Sequence, residues 1–334
     1  MRLLITGGCG FIGSTFIKHI IRKYNDYSII NLDLVTYAGN LENLDQIKNH
    51  PKYTFVKGDI ADENLVKEIT RNVDAVINFA AESHVDRSIE GPSVFIRTNV
   101  LGTQVLLESA KENKVQRFIQ ISTDEVYGSL GPEGYFRENS PLLPNSPYSA
   151  SKAGADLIVR SYFKTYKFPS VITRCSNNYG SNQFPEKFIP LLITNAFEDK
   201  EVPVYGDGLN VRDWIHVKDH CKAIDAILHK GKVGETYNIG GNCEKRNIDI
   251  AKLILKKMGK DESLIRFVKD RPGHDRRYAI DASRIRKELG WSPEYNFDQG
   301  ISETIKWYDE NRSWWLKIKS GEYMKYYERM YGNR

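Results

Sequence analysis

Residues 6–14 read TGGCGFIGS and directly follow the apolar run Leu3-Leu4-Ile5. Gly7, Gly10 and Gly13 recur every third residue, and an amphipathic stretch over 12–23 comes next. Glycine permits a tight turn and a close backbone approach to a pyrophosphate. A helix starting there adds unpaired N–H groups and a positive dipole end. Glycines alone are weak evidence, since a turn with no ligand can carry them too. The context strengthens them: a strand before, a helix after, and Asp33 closing the apolar run 28–33, about 20 residues past the last glycine, the spacing of a ribose-binding acid. Asp33 would accept hydrogen bonds from both adenosine ribose hydroxyls and repel a 2′-phosphate. No Lys or Arg follows at Leu34, Val35 or Thr36, so NAD is expected rather than NADP. Asp59 and Ile60, after a third run, suit the adenine edge.

Outward from this turn, apolar runs at 2–6, 28–33, 53–57, 73–79, 116–122 and 170–175 read as strands. Amphipathic stretches at 12–23, 62–71, 92–113 and 148–166 read as helices. This alternation predicts an α/β chain, a Rossmann-type doubly wound parallel sheet with helices on both faces and its ligand beyond the carboxyl ends of the strands. After about residue 176 the pattern loosens into NNYGSNQFPEKFIP and a helix near 187–198, then helix and strand again at 217–230 and 236–240. The expected division is a dinucleotide-binding domain over 1–177, to which about 214–245 returns, and a smaller, partly interleaved C-terminal substrate-binding lobe over 178–334.

The totals narrow the function. A chain of 334 residues with net charge +5 is too weakly and diffusely basic to read as nucleic-acid binding, yet suits an anionic small substrate. Aromatic and basic residues do interleave in the final stretch, KWYDENRSWWLKIKSGEYMKYYERMYGNR, a pattern that can bind single strands. A terminal helix and tail docked on the body is the preferred reading. No apolar run is long enough for a signal peptide or a membrane span. Cys9, Cys175, Cys221 and Cys243 form no CxxC pair, so a reduced, cytoplasmic protein with no metal site is expected.

Residues 122–125, STDE, stand at the end of the fifth predicted strand, and 148–152 read YSASK. Tyr148 and Lys152, four apart, share one helix face. A tyrosine is a poor base near its reference pKa of about 10. A nearby ammonium and a positive nicotinamide ring would favour the phenolate. Two adjacent carboxyls cost desolvation at a strand end unless chemistry needs both. An acid and a base acting at neighbouring carbons is such a need; a solvated acidic turn is the plainer alternative.

With TGGCGFIGS, LDLVTYAGNL, AAESHVDRS, STDEVYG, YSASK, RCSNNYG, FPEK, YGDGLNVRDW, NIGG and DRPGHDRRYAID, the chain resembles the extended short-chain dehydrogenase/reductases along nearly its whole length. Within them it is most similar to the nucleotide-sugar 4,6-dehydratases. One departure is Ser181-Asn182 after NNYG, where that family usually begins with proline. The resemblance implies an NAD-dependent lyase acting on a nucleoside diphosphate glucose, dTDP-glucose ahead of UDP- or CDP-glucose. C4 would be oxidised, water lost across C5 and C6, and the hydride returned to C6, for a deoxysugar such as rhamnose. Tyr148 would be the base at the C4 hydroxyl with Thr123 on the same oxygen, Glu125 the base at C5, Asp124 the acid at the C6 hydroxyl, and Lys152 a partner of the nicotinamide ribose. The cofactor set becomes Gly7, Gly10, Phe11, Ile12, Gly13, Asp33, Leu34, Thr36, Asp59, Ile60, Ala80, Ala81, Ser83, Thr98, Tyr148, Lys152 and Asn178. For the substrate it implies Thr123 at the sugar and Asn177, Lys187, Arg212, Asn247, Arg271 and Tyr278 around the nucleotide. Pro203 and Tyr205 would lie near the base, and His84 and His274 near sugar or phosphates. Asp213, Asp270 and Asp275 adjoin the arginines, so ordinary salt bridges are the alternative for Arg212 and Arg271.

Helices 98–113 and 148–166 resemble the pair that forms a four-helix homodimer interface in this superfamily, where Ala150, Ala153 and Gly154 would permit close approach; packing on the chain's own sheet is the alternative. A 4-epimerase or decarboxylase of the same fold would need Tyr148 and Lys152 but no acid and base after Thr123. A silent NAD-binding sensor would need none of the five.

Overall fold

In the computed structural model, which describes residues 1–320 and 322–329, the strands are β1 (Arg2–Thr6), β2 (Ser28–Asp33), β3 (Tyr53–Lys57), β4 (Ala75–Asn78), β5 (Arg117–Thr123), β6 (Ser170–Cys175), β7 (Asn177–Tyr179), β8 (Val202–Tyr205), β9 (Val211–His216), β10 (Thr236–Ile239), β11 (Glu244–Arg246) and β12 (Ile265–Val268). Seven form one sheet in the order β10-β6-β5-β4-β1-β2-β3, with every neighbouring pair parallel. The order reverses between β1 and β4, which opens a crevice at their carboxyl ends.

The sheet is buried on both faces, so its strands read as continuous apolar runs rather than alternating ones. Leu3 and Ile5 join Phe16, Ile17, Ile224 and Ile227 on one side. Leu4, Val76 and Phe118 join Val105, Leu106 and Val159 on the other. A separate core under Ile189, Ile193, Val204, Trp214, Ile254 and Trp315 supports two small sheets, β11-β9-β7 and the parallel pair β12-β8. The docked-tail reading of the C-terminus agrees with the buried side chains of Trp314, Trp315, Tyr323 and Tyr326; Gly321 and 330–334 lie outside the described residues.

One helix differs from expectation and another agrees with it to within a residue. The stretch 92–113 is not one regular helix. Residues Pro92–Phe95 are α-helical, Ile96–Gly102 widen into π-helical turns, and Thr103–Glu112 return to α. Such widening is frequent at functional sites. Here it seats Asn99 to hold both backbone groups of Glu82, at 2.9 and 3.0 Å, and to donate to Ser151 Oγ at 2.8 Å. The helix Pro147–Tyr166 begins with a capping box, Ser146 and Ser149 each bonding the other's backbone N–H, with proline in the first turn. This cap fixes the start of the helix that bears Tyr148.

Among the small residues of that helix, Ala150 is exposed and Gly154 half-buried, whereas Ala153 packs with Val126, Tyr127 and Ile280 of its own chain.

Candidate active site

A cleft of about 310 Å³ follows the carboxyl ends of β1, β2, β4, β5 and β6. Every residue expected at the cofactor lies along it, from Gly7, Gly10, Phe11, Ile12 and Gly13, through Asp33, Leu34, Thr36, Asp59 and Ile60, to Ala80, Ala81, Ser83, Thr98, Tyr148, Lys152 and Asn178. Gly7 and Gly13 are structurally required. Gly7 has φ +67° and a Cβ there would stand 2.6 Å from Ala80 N; one on Gly13 would stand 2.4 Å from Gly7 O. Asp33 accepts from Cys9 N at 2.8 Å on one oxygen and from Val35 N at 2.7 Å on the other. These bonds oppose the burial that raises its pKa and leave further lone pairs on both oxygens. The glycine cradle, the helix start at Phe11 and a fixed carboxylate fit a dinucleotide. Asp59 is held by Ala61 N at 2.8 Å and Arg97 at 2.9 Å.

At the other end of the cleft, β5 delivers Thr123 and a short 3₁₀ turn carries Asp124 and Glu125. Tyr148 and Lys152 face the same space from their helix. Lys152 is buried and donates to Ile121 O at 2.6 Å. Burial and then the Glu125 carboxylate push the Tyr148 phenol well above its usual range, opposed by the Thr123 hydroxyl beside it. Lys152 alone does not produce the lowering expected of it together with a nicotinamide ring. That ammonium is itself depressed by burial, with Asp156 and Cys175 opposing.

The two carboxyls are not equivalent. Asp124 is 1% exposed; burial first, then Glu125 and Asp213, raise its pKa well above the carboxylate range. Its Oδ1 accepts from Thr123 at 3.3 Å and its Oδ2 is buried without a partner. Burial raises Glu125 too, but Arg271, Arg212 and Lys187 pull it back. Burial thus raises both carboxyls, and the cations that oppose it act more on Glu125, with three, than on Asp124, where Arg212 alone does so.

The expected substrate residues divide. Thr123, Asn177 and Lys187 line the cleft; Lys187 donates to Ser83 O at 2.7 Å, and Asn177 Oδ1 is buried without a partner. His84, Pro203, Tyr205, Arg212, Asn247, Arg271, His274 and Tyr278 stand outside that lining. His84 is buried, 3.3 Å from Tyr326 OH, and Pro203 is buried within β8. Tyr205 OH donates to Asp86 at 2.9 Å, and Arg271 reaches the same carboxylate at 3.4 Å. His274 bonds Asp270 at 2.6 Å, and Asn247 Oδ1 is buried with no partner. The salt bridges weighed for the arginines do not form with their neighbours. Arg212 donates to Val211 O and Asp275 O and lies 4.3 Å over the Tyr278 ring, while Asp213 instead accepts from Gly241 N and Cys243 N. Asn182 bridges Lys18 and Asn43 across 3.1 Å on each side, tying the divergent loop to the Rossmann body.

Sequence reasoning passed over Glu82, Gln183, Phe184 and Glu186, which also line the cleft. Glu82, within AAESHVDRS, and Phe184 and Glu186, within FPEK, stood in motifs already noted for other residues. Among the described residues no group of three or more His, Cys, Asp or Glu side chains is arranged to hold a metal, and no helix is long and apolar enough to cross a membrane.

The parallel sheet, the glycine cradle and the Tyr148-Lys152 helix facing Thr123 define a short-chain dehydrogenase/reductase-type enzyme with a dinucleotide site. A protein-family profile described as GDP-mannose 4,6 dehydratase matches residues 4–304, and the chain belongs to that family. It is 51% identical to a dTDP-glucose 4,6-dehydratase of Xanthomonas campestris pv. campestris (strain B100), over 96% of each chain. The solved structure of DesIV, a dTDP-glucose 4,6-dehydratase from Streptomyces venezuelae with NAD bound, superposes with a TM-score of 0.94 at 50% identity, covering 96% of this chain and all (100%) of that one. A dTDP-glucose 4,6-dehydratase from Bacillus anthracis, solved in complex with NAD, gives 0.90 at 53% identity, again over 96% of this chain and 100% of that one.

Proposed function

We propose that the protein is an NAD-dependent hydro-lyase that converts dTDP-glucose into dTDP-4-keto-6-deoxy-glucose. The observation that carries this reading is the carboxyl pair beside Thr123 in the cleft that Tyr148 lines: Asp124 is buried with its Oδ2 unpartnered, and Arg271, Arg212 and Lys187 act on Glu125.

The glycine cradle and Asp33 would hold NAD, which would supply a hydride acceptor for C4 of the sugar and a hydride donor for C6. Once the positive charge of the bound nicotinamide ring offsets burial and favours the phenolate, Tyr148 receives the C4 hydroxyl proton while Thr123 bonds the same oxygen. The C4 ketone acidifies C5–H, which Glu125 removes. Asp124 gives its proton to the departing C6 hydroxyl, so water leaves, and Glu125 returns a proton to C5. Lys152, anchored on Ile121 O, sets the position of the Tyr148 helix and meets the nicotinamide ribose. Arg212, Arg271 and Lys187, the cations that act on Glu125, serve the nucleotide diphosphate. A 4-epimerase would have no use for the acid at Asp124.

The protein works as a homodimer in the cytoplasm. Leu101 and Leu157, 43% and 55% exposed on the two candidate interface helices, and exposed Ala150 support the helix-pair interface. Four unpaired cysteines suit a reducing compartment. The product is of the kind consumed in deoxysugar synthesis, rhamnose included.

The test is incubation of purified protein with dTDP-, UDP- and CDP-glucose. A product lighter by one water from dTDP-glucose, with 4-keto absorbance in base and no net NADH, is expected. A C4 epimer, or faster turnover of UDP- or CDP-glucose, overturns the reading.

A further inference from the structure

The AAESHVDRS segment contributes a residue that none of the chemistry above uses. Arg87 donates from Nε to Oε2 of Glu186 across 3.0 Å. Its guanidinium lies between two aromatic faces, 4.0 Å from the Tyr37 ring centroid and 4.1 Å from that of Tyr326. The Glu186 side chain is only 1% exposed. The next residue is Lys187, whose ammonium lines the cleft and acts on Glu125.

A carboxylate this deeply buried is strongly disfavoured unless a cation compensates it. Two cations act on Glu186, Lys187 and Arg87. Without Arg87, Lys187, held on Ser83 O at 2.7 Å, would be left as the one cation acting on Glu186 and less available to an anionic substrate. Arg87 can hold Glu186 because two tyrosines fix the guanidinium plane, a cation–π arrangement that strengthens as water is excluded. One of them, Tyr326, belongs to the last described helix, Glu322–Tyr327, and also reaches His84 Nδ1 at 3.3 Å.

We propose that Arg87, clamped between Tyr37 and Tyr326, is a positioning residue for nucleotide-sugar binding: it neutralises Glu186 and so leaves Lys187 to the substrate diphosphate. The C-terminal helix thereby completes the substrate site. The inference rests on the reading of Lys187 as a substrate contact.

The experiment measures binding of dTDP and of NAD by calorimetry, and KM and kcat for dTDP-glucose, in full-length variants. Arg87→Gln is expected to weaken dTDP binding and raise KM about 10-fold, with a smaller change in kcat. NAD affinity stays within about twofold, because Asp33 and the glycine cradle share no partner with Arg87. Arg87→Gln combined with Glu186→Gln should restore dTDP binding to within about threefold of wild type, a charge-balance rescue that a merely structural role does not produce. Tyr326→Ala should weaken dTDP binding about fivefold while Tyr326→Phe, which keeps the ring, binds normally. A double variant no better than Arg87→Gln overturns the proposal, as does Arg87→Gln binding dTDP like wild type. Should Arg87→Gln fail to fold, Tyr326→Ala decides: unchanged dTDP affinity overturns the proposal. A wild-type chain that binds NAD but no dTDP overturns the nucleotide-sugar reading and this inference with it. Normal wild-type binding with no response to these changes overturns the inference alone.

Discussion

The ammonium of Lys152 donates to the carbonyl oxygen of Ile121 across 2.6 Å, and this bond joins the helix that carries Tyr148 to the strand that carries Thr123. A strand and a helix from different parts of the chain are thus held in one register at the point where the C4 oxygen must meet both side chains. Lys152→Met keeps most of the buried volume but removes the donor and leaves a buried carbonyl less satisfied. Turnover should fall at least about 100-fold, with weaker NAD binding, as general-base geometry is lost. Steady-state kinetics with NAD titration check this; near-normal kcat would contradict it.

Asp124→Asn and Glu125→Gln should each cut dehydration by about 10²–10⁴-fold, the range of a lost proton-transfer group. Oxidation at C4 uses Tyr148 and Thr123, so dTDP-glucose should still generate absorbance at 340 nm in Glu125→Gln, with NAD affinity unchanged. Full dehydratase activity in both variants would sink the assignment.

His220 is fully buried and burial depresses its pKa to about 3, far below the usual 6.5; its Nδ1 lies 2.9 Å from Asn178 Oδ1. Below pH 6.5 the unfolded chain takes up a proton there that the folded chain refuses. This contribution to stability is therefore whole above pH 6.5 and is lost as pH falls toward 3. At pH 5 the loss from this one group is about 2 kcal/mol. Urea melts of wild type and His220→Gln at pH 7.5 and 5.0 test it; the variant should lose less on acidification. Equal pH dependence in the two proteins would refute the account.

Ser146→Ala removes the half of the capping box in which Ser146 Oγ accepts from Ser149 N, leaving the bond from Ser146 N to Ser149 Oγ, and should cost about 1 kcal/mol, read as a lower urea midpoint at unchanged slope. Since Tyr148 sits in that first turn, kcat should fall more than KM changes. A kcat equal to wild type would separate the cap from the chemistry.

Leu157→Glu together with Leu101→Glu places four like charges at a two-fold interface of the proposed kind. Sedimentation should then report a monomer where the wild type sediments as a dimer, with the helical circular dichroism retained. An unchanged sedimentation coefficient would move the interface elsewhere.

Much of the architecture was legible because its signals are local. The strands 28–33, 53–57 and 170–175 and the helix 217–230 were readable to the residue, since each is a short apolar or amphipathic run bounded by a turn. The π-helical turns at 96–102 were not, because their wider winding answers to Asn99, which must span Glu82 and Ser151 at once. Nor was the direction of the Tyr148 shift. Spacing puts a lysine four residues away on the same helix face, but it does not reveal that Lys152 spends its hydrogen bond on Ile121 or that Glu125 faces the phenol.

By itself the sequence determined which groups could do chemistry: a glycine turn with Asp33, a Tyr-Lys pair, and two neighbouring carboxyls after Thr123. Residue type and short spacing suffice for these because strands and helices have fixed repeats. Only the tertiary structure decided that Asp124 is buried with its Oδ2 unpartnered and that Arg271, Arg212 and Lys187 act on Glu125. Those depend on burial and on charges hundreds of residues apart, as with Arg87 and Tyr326, which no local repeat encodes and only the packed fold brings together.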